Sequence, residues 1–190
     1  MDLRSWIAAE HTAALARFEQ SVVASVPLER WRDPAGPGGS SIAWLAFHTA
    51  FHEDVAVNAV LRGTTTELQT QRATLGLADL PPSVGLGEAE QAELTAALDV
   101  EALLGYVRAV HDTTAAWLAT LTDDDLDIAD AGGPDALTRA GIAESDVPWL
   151  HRMWEAKPAA WFVQWEAVGH RVNHLGEMVS VRNRLGLSPF

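Results

Sequence analysis

The stretch VGHRVNHLGEMVSVRNRLG, residues 168–186, sets His170 and His174 four positions apart in a segment with helical periodicity. At that spacing two side chains are neighbours on one helix surface. The helix extends back to Pro158, a residue suited to a first helical turn, and Gly186 can close it. Its length carries two apolar stripes. One is Trp161, Trp165, Val168, Val172, Leu175 and Val179, and the other is Val163, Ala167, His170, His174, Met178 and Val181. Gln164, Arg171 and Arg182 separate them on one side; Glu166, Asn173, Glu177 and Arg184 do so on the other. A helix apolar on two faces expects a neighbour on each, one of which can belong to a second subunit.

Working back from this helix, three others emerge. Residues 3–26 place Trp6, Leu15, Phe18, Val22 and Val26 at helical spacings, and Pro27 ends the run. WRDPAGPGGSS, residues 31–41, is a loop, and Ser40 or Ser41 can cap the second helix. That helix, residues 41–61, aligns Trp44, Leu45, His48, Phe51, His52, Val55 and Ala59 on one side, and Gly63 ends it. Residues 64–87, with Pro81-Pro82 and Gly85–Gly87, form a long connection. The third helix, residues 88–121, opens with Glu88, Glu90 and Glu93, where the helix dipole favours anions, and has a stop signal near Asp99. An acidic, turn-rich loop spans 123–135, and a short helix is expected near 148–155. Four long helices, no alternating strand pattern and no internal repeat predict an all-α four-helix bundle with long connecting loops, a single domain over residues 1–190.

Composition narrows the chemistry. The chain has 190 residues, no cysteine and a net charge of −13. Disulfides, thiolate metal ligands and a cysteine nucleophile are therefore excluded. An acidic surface repels phosphates, so nucleic acid is not an expected partner. No apolar run reaches the ~20 residues needed to span a bilayer, and the N-terminus has no signal pattern. A cytoplasmic protein is expected. Lys157 is the only lysine among thirteen basic residues, a bias of GC-rich genomes.

Any metal must then be held by nitrogen and oxygen. The candidates are seven histidines, with the H-x-x-x-H spacing at 48/52 and at 170/174. Neither pair fits H-E-x-x-H, because Thr49 follows His48 and Arg171 follows His170; Glu53 turns away from His48 on the helix. His11 and His151 read as ordinary hydrogen-bonded histidines, and His111, on the Leu104–Val107–Leu118 stripe, as an isolated core residue. His48, His170 and His174 lie on core-facing stripes, where each must find a partner or bear the cost of desolvation, and one shared cation would satisfy all three. Trp44, a turn before His48, reads as packing before pocket wall, and Asp123–Asp127 as a solvated loop that lacks the pattern of a calcium site.

SIAWLAFHTAFHEDVAVNAVLRG and GHRVNHLGEMVSVRNRLG together resemble the DinB-like (DNA-damage-inducible) superfamily, which includes bacterial thiol S-transferases and the mycothiol-dependent maleylpyruvate isomerase domain. That family has one histidine midway along its second helix and His-x-x-x-His near the end of its last, typically followed by Gly-Gln; here the residues are Gly176-Glu177. The resemblance implies an up-down-down-up bundle, a homodimer, and a divalent metal such as zinc or nickel on His48, His170 and His174. His52 has no fixed family role: fourth ligand, a group that holds a ligand in place, and proton carrier all stay open. Substrate choice would lie in residues 64–87 and 123–158.

Two functions are expected on this basis. One is a metal-dependent transferase in which a low-molecular-weight thiol such as mycothiol attacks a small-molecule electrophile. The other is a non-catalytic metal-binding or stress-response module, favoured if His52 closes the coordination shell.

Overall fold

The computed structural model describes residues 2–81, 91–132 and 135–189. The expectations for Pro82, Gly85–Gly87, Glu88 and Glu90 lie outside the described residues. Helix α1 spans Leu3–Phe18 and runs on as a π-helical turn, Glu19–Val23. Helix α2 spans Ile42–Asp54, capped by Ser41, whose hydroxyl accepts from the Trp44 amide, and continues as a π turn through Leu61. Short helices α3 (Glu67–Gln71) and α4 (Gln91–Ala97) precede α5 (Val100–Leu118). The stop signal near Asp99 is a real break: its carboxylate caps α5 through the Ala102 amide at 2.9 Å. Helices α6 (Asp123–Leu126), α7 (Ala136–Arg139) and α8 (Pro148–Trp154) occupy the second connection. The last long helix is composite: α9 (Ala159–Phe162), a π turn (Val163–Gly169) and α10 (His170–Arg184). Gly186, at φ +77°, closes it. Among the described residues there is no strand, only an isolated bridge between Pro34 and Ser41.

The long helices form a square. Helix α2 packs on α5 and α10, and α1 packs on the same two, so α1 faces α2 and α5 faces α10 across the bundle's diagonals. The chain is all-helical, as the periodicity predicts. The details of three helices differ from that reading. The buried row of α1 is Ile7, His11, Ala14, Phe18 and Val22, and Trp6 is exposed; a histidine inside the row hides it from a hydropathy pattern. Helix α2 is buried on nearly all sides, with His48 its most open residue, because the short helices wrap the face that the bundle leaves free. In the last helix, Glu166, Arg171 and Arg182 are buried rather than facing solvent. The π turn widens the helix around Glu166, so a 3.6-residue wheel drawn through it misplaces that residue, while Arg171 and Arg182 lie between the two apolar stripes of α10 and are covered by both. The Trp161–Val172 stripe is half-exposed, while the His170 stripe faces the core.

Where the diagonals cross, the centre of the bundle is polar. His11 Nε2 lies 2.9 Å from Glu53 Oε1, spanning α1 to α2. Arg171 Nη1 donates to Glu53 Oε2 at 2.9 Å and to His111 Nδ1 at 3.2 Å, spanning α10 to α2 and α5. The His11 and His111 rings stack with centroids 4.2 Å apart. The partners set the ring roles: His111 accepts at Nδ1, and His11 donates from Nε2 to the carboxylate. Next along α2, Asp54 accepts from the Tyr106 hydroxyl and from the Glu67 and Leu68 amides, tying the first connection to the bundle.

Both signs of titration in this layer point the same way. Burial pushes the Glu53 carboxyl up, but the Arg171 guanidinium and the His11 hydrogen bond outweigh it and hold it below its ordinary value. Burial, followed by repulsion from His11 and Arg171, pushes His111 down to about 4. The unfolded chain binds His111's proton near pH 6.5 and the folded chain does not until about 4, so stability is lost as pH falls through that window. Thermal melts in chelator should show the midpoint falling between pH 6.5 and 4, and His111→Phe should fall less steeply. Equal slopes in the two proteins would contradict the assignment.

Candidate metal centre

His48 and His52 come from α2, and His170 and His174 from α10, the two helices that share one side of the square. The four rings meet. Centroids are 4.5 Å apart for His48–His52, 4.6 Å for His52–His170 and for His170–His174, 5.1 Å for His48–His170 and 5.0 Å for His48–His174. Ring nitrogens of His48, His52 and His170 all lie within 4.8 Å of one another. His174 reaches the cluster through His170, their Nε2 atoms standing 3.0 Å apart. Two nitrogens on one tetrahedral ion at the usual ~2.0–2.1 Å bond length stand about 3.3 Å apart, so this separation suits a shared cation.

The protonation pattern is that of a ligand set. His174 Nδ1 lies 2.9 Å from Glu177 Oε2, so its N–H points at the carboxylate and its Nε2 lone pair points inward. Burial, followed by repulsion from His52, His174 and His48, holds His170 well below its ordinary value, so its lone pair stays available. Both ring nitrogens of His52, Nδ1 of His170 and Oε2 of Glu166 are buried with no hydrogen-bond partner among the described residues. Orphaned donors of this kind are what a cation would satisfy. Four imidazoles without a thiolate suit zinc, nickel, copper or ferrous iron.

Glu166 is the residue that its sequence register puts among polar separators. It is 0% exposed. The Trp154 indole donates to its Oε1 at 2.8 Å, while its Oε2 faces Nδ1 of His52 at 3.4 Å and of His170 at 3.7 Å. Those are ion-pair distances without hydrogen-bond alignment. The available signal was the spacing: Glu166, His170 and His174 form E-x-x-x-H-x-x-x-H.

Indoles flank the cluster. Trp44 is buried and stacks on His48 with centroids 5.5 Å apart, serving as both packing and wall. Trp149, 39% exposed, lies over His52 at 6.1 Å, and Trp165 is tilted against His170 at 5.9 Å. The remaining histidines stay outside. His11 and His111 belong to the central layer, and His151 Nε2 meets the Ile142 carbonyl at 3.1 Å.

Among the described residues, no helix is long and apolar enough to cross a membrane. No curated protein sequence matches the chain. The family model of the DinB superfamily matches residues 10–178, a span that contains all four clustered histidines, Glu166 and the central layer. With nearly its whole length matched and an all-helical fold to go with it, the chain belongs to the DinB superfamily.

Proposed function

We propose that the histidine cluster holds a divalent metal ion, zinc or nickel, and that the chain is a thiol-dependent transferase of the mycothiol type. The convergence of ring nitrogens of His48, His52 and His170 within 4.8 Å, with His174 Nε2 3.0 Å from His170 Nε2, in a core without cysteine supports this reading. His48, His170 and His174 would hold the ion; of these, His48 and His174 are partly exposed, and a thiol would reach the site from that side. A divalent ion there supplies the positive charge that makes a thiol a thiolate at neutral pH. The nucleophile would arrive on a small cofactor, since the chain has no thiol of its own. Glu177 orients His174, and Glu166, held by Trp154, orients His170 and His52. Trp149 shields the His52 side from water. The thiol's sulfur would bond to a small electrophile's carbon as the leaving group departs. We place this activity in a cytoplasmic homodimer.

One observation favours the second reading, a non-catalytic module. His52 sits inside the cluster at 2% exposure and can serve as a fourth nitrogen. A tetrahedral ion with four imidazoles would have no position left for substrate.

Protein purified without a His-tag should carry about one ion per chain, and His170→Ala should carry almost none; equal metal content in the two would remove the site. His52→Ala separates the readings. The transferase keeps its ion in this variant, whereas a four-nitrogen structural site releases it. Glu166→Gln should weaken binding of the ion roughly tenfold while leaving the helical circular dichroism intact. Mixed with a low-molecular-weight thiol and a chlorinated nitrobenzene, the metal-loaded protein should form the thioether. No thioether with any thiol, together with ion loss in His52→Ala, would establish the module instead.

A further inference from the structure

The central layer is a buried polar assembly that the proposed chemistry leaves unused. Glu53 follows His52 directly, and Arg171 follows His170 directly. Successive helical residues point about 100° apart, so each helix sends an imidazole to one side of the α2–α10 contact and a charge to the other. The Glu53–Arg171 pair, at 2.9 Å, therefore joins the helices on the same rung where the His52 and His170 rings lie 4.6 Å apart.

Apolar packing does not fix that rung by itself. A cavity of about 20 Å³ lies beside Arg171, with Ala46 and Thr49 of α2 and Leu175 and Met178 of α10 in its lining together with Ala14, Phe18 and Val107 of α1 and α5. Apolar side chains beside a void tolerate small shifts, whereas a buried hydrogen-bonded ion pair is satisfied in one geometry and leaves an uncompensated charge if it moves. The pair is anchored on both diagonals: Glu53 is held from α1 by His11, and Arg171 reaches α5 through His111. All four long helices thus contribute to one layer immediately behind the histidine cluster.

We propose that the Glu53–Arg171 pair, bracketed by His11 and His111, is a positioning device that sets the affinity of the neighbouring histidine cluster for a divalent ion. It touches neither ion nor substrate; it acts by holding the register of α2 against α10. The inference rests on the reading of the histidine cluster as a metal site. It goes beyond that reading by assigning a role to residues that ligate nothing.

The test is a titration of metal-free wild type, Arg171→Met, Arg171→Lys and Glu53→Gln with Co(II). Chelator competition reads affinity and visible absorption reads coordination geometry, each at a temperature well below that variant's own melting midpoint. Arg171→Met is expected to weaken Co(II) binding about tenfold or more and to change the visible bands, the scale on which groups supporting a ligand act. Arg171→Lys, which keeps the charge, should recover part of that loss. A purely structural role would move the melting midpoint alone, so a folded Arg171→Met with wild-type affinity and spectrum overturns the proposal. If Arg171→Met does not fold, Glu53→Gln decides by the same two readouts, since it keeps the shape and one acceptor oxygen, replaces the other with an N–H donor and removes the charge. Failure of wild type to bind Co(II) would defeat the metal reading itself, and the proposal with it, which is a different result from tight binding in every variant.

Discussion

A buried imidazole or carboxylate without a partner costs on the order of 1–3 kcal/mol, and this bundle buries several on α2 and the last helix, which pack on each other. That cost constrains everything near the bundle's middle. One group of polar residues resolves most of it internally: His11, Glu53, Arg171 and His111 bond one another across both diagonals, with His11 Nδ1 left over. The other group does not. His52, His170 and Glu166 retain unpaired atoms that face each other across a few ångströms. The unpaired atoms are more numerous around His52, His170 and Glu166, and that is where a ligand's charge would be most strongly felt.

The two layers are not independent. They use consecutive residues of the same helices, His52-Glu53 and His170-Arg171, so the register that brings charges together behind the cluster also brings rings together within it. The π turns add to this. One begins directly after Asp54 and another ends directly before His170, placing widened backbone at both edges of the cluster. Widened turns of this kind recur at functional sites because they re-aim side chains without breaking the helix. Here the second one carries Glu166 into the core.

Much of this was legible in the sequence, and the losses have particular causes. The breaks at Pro27, Asp99 and Gly186 announced themselves, because a proline, an N-cap carboxylate and a terminal glycine act locally. The convergence of His48 with His170 and His174 was legible because core-facing stripes leave a histidine few other places to go. Glu166 was not, since a helical wheel assumes constant pitch and the π turn between Val163 and Gly169 violates it, and Arg171 was not, since it sits between Leu175 and Met178 and reads as a polar divider when their two stripes are taken as separate faces. His11 was hidden for a different reason. Its partners come from other helices, and no local pattern reports a contact between residues 11, 53 and 171. The place of His52 inside the cluster is consistent with its spacing from His48, but its role depends on which of its nitrogens faces the ion, and sequence carries no such information.

X-ray absorption at the metal edge of the nickel- or zinc-loaded protein tests the central claim most directly, because the multiple-scattering signature of imidazole counts histidines around the ion. The account predicts an inner shell of nitrogen and oxygen atoms at about 2.0–2.2 Å with three imidazoles, reduced in His170→Ala. A shell without imidazole scattering, or one unchanged by His170→Ala, would contradict it.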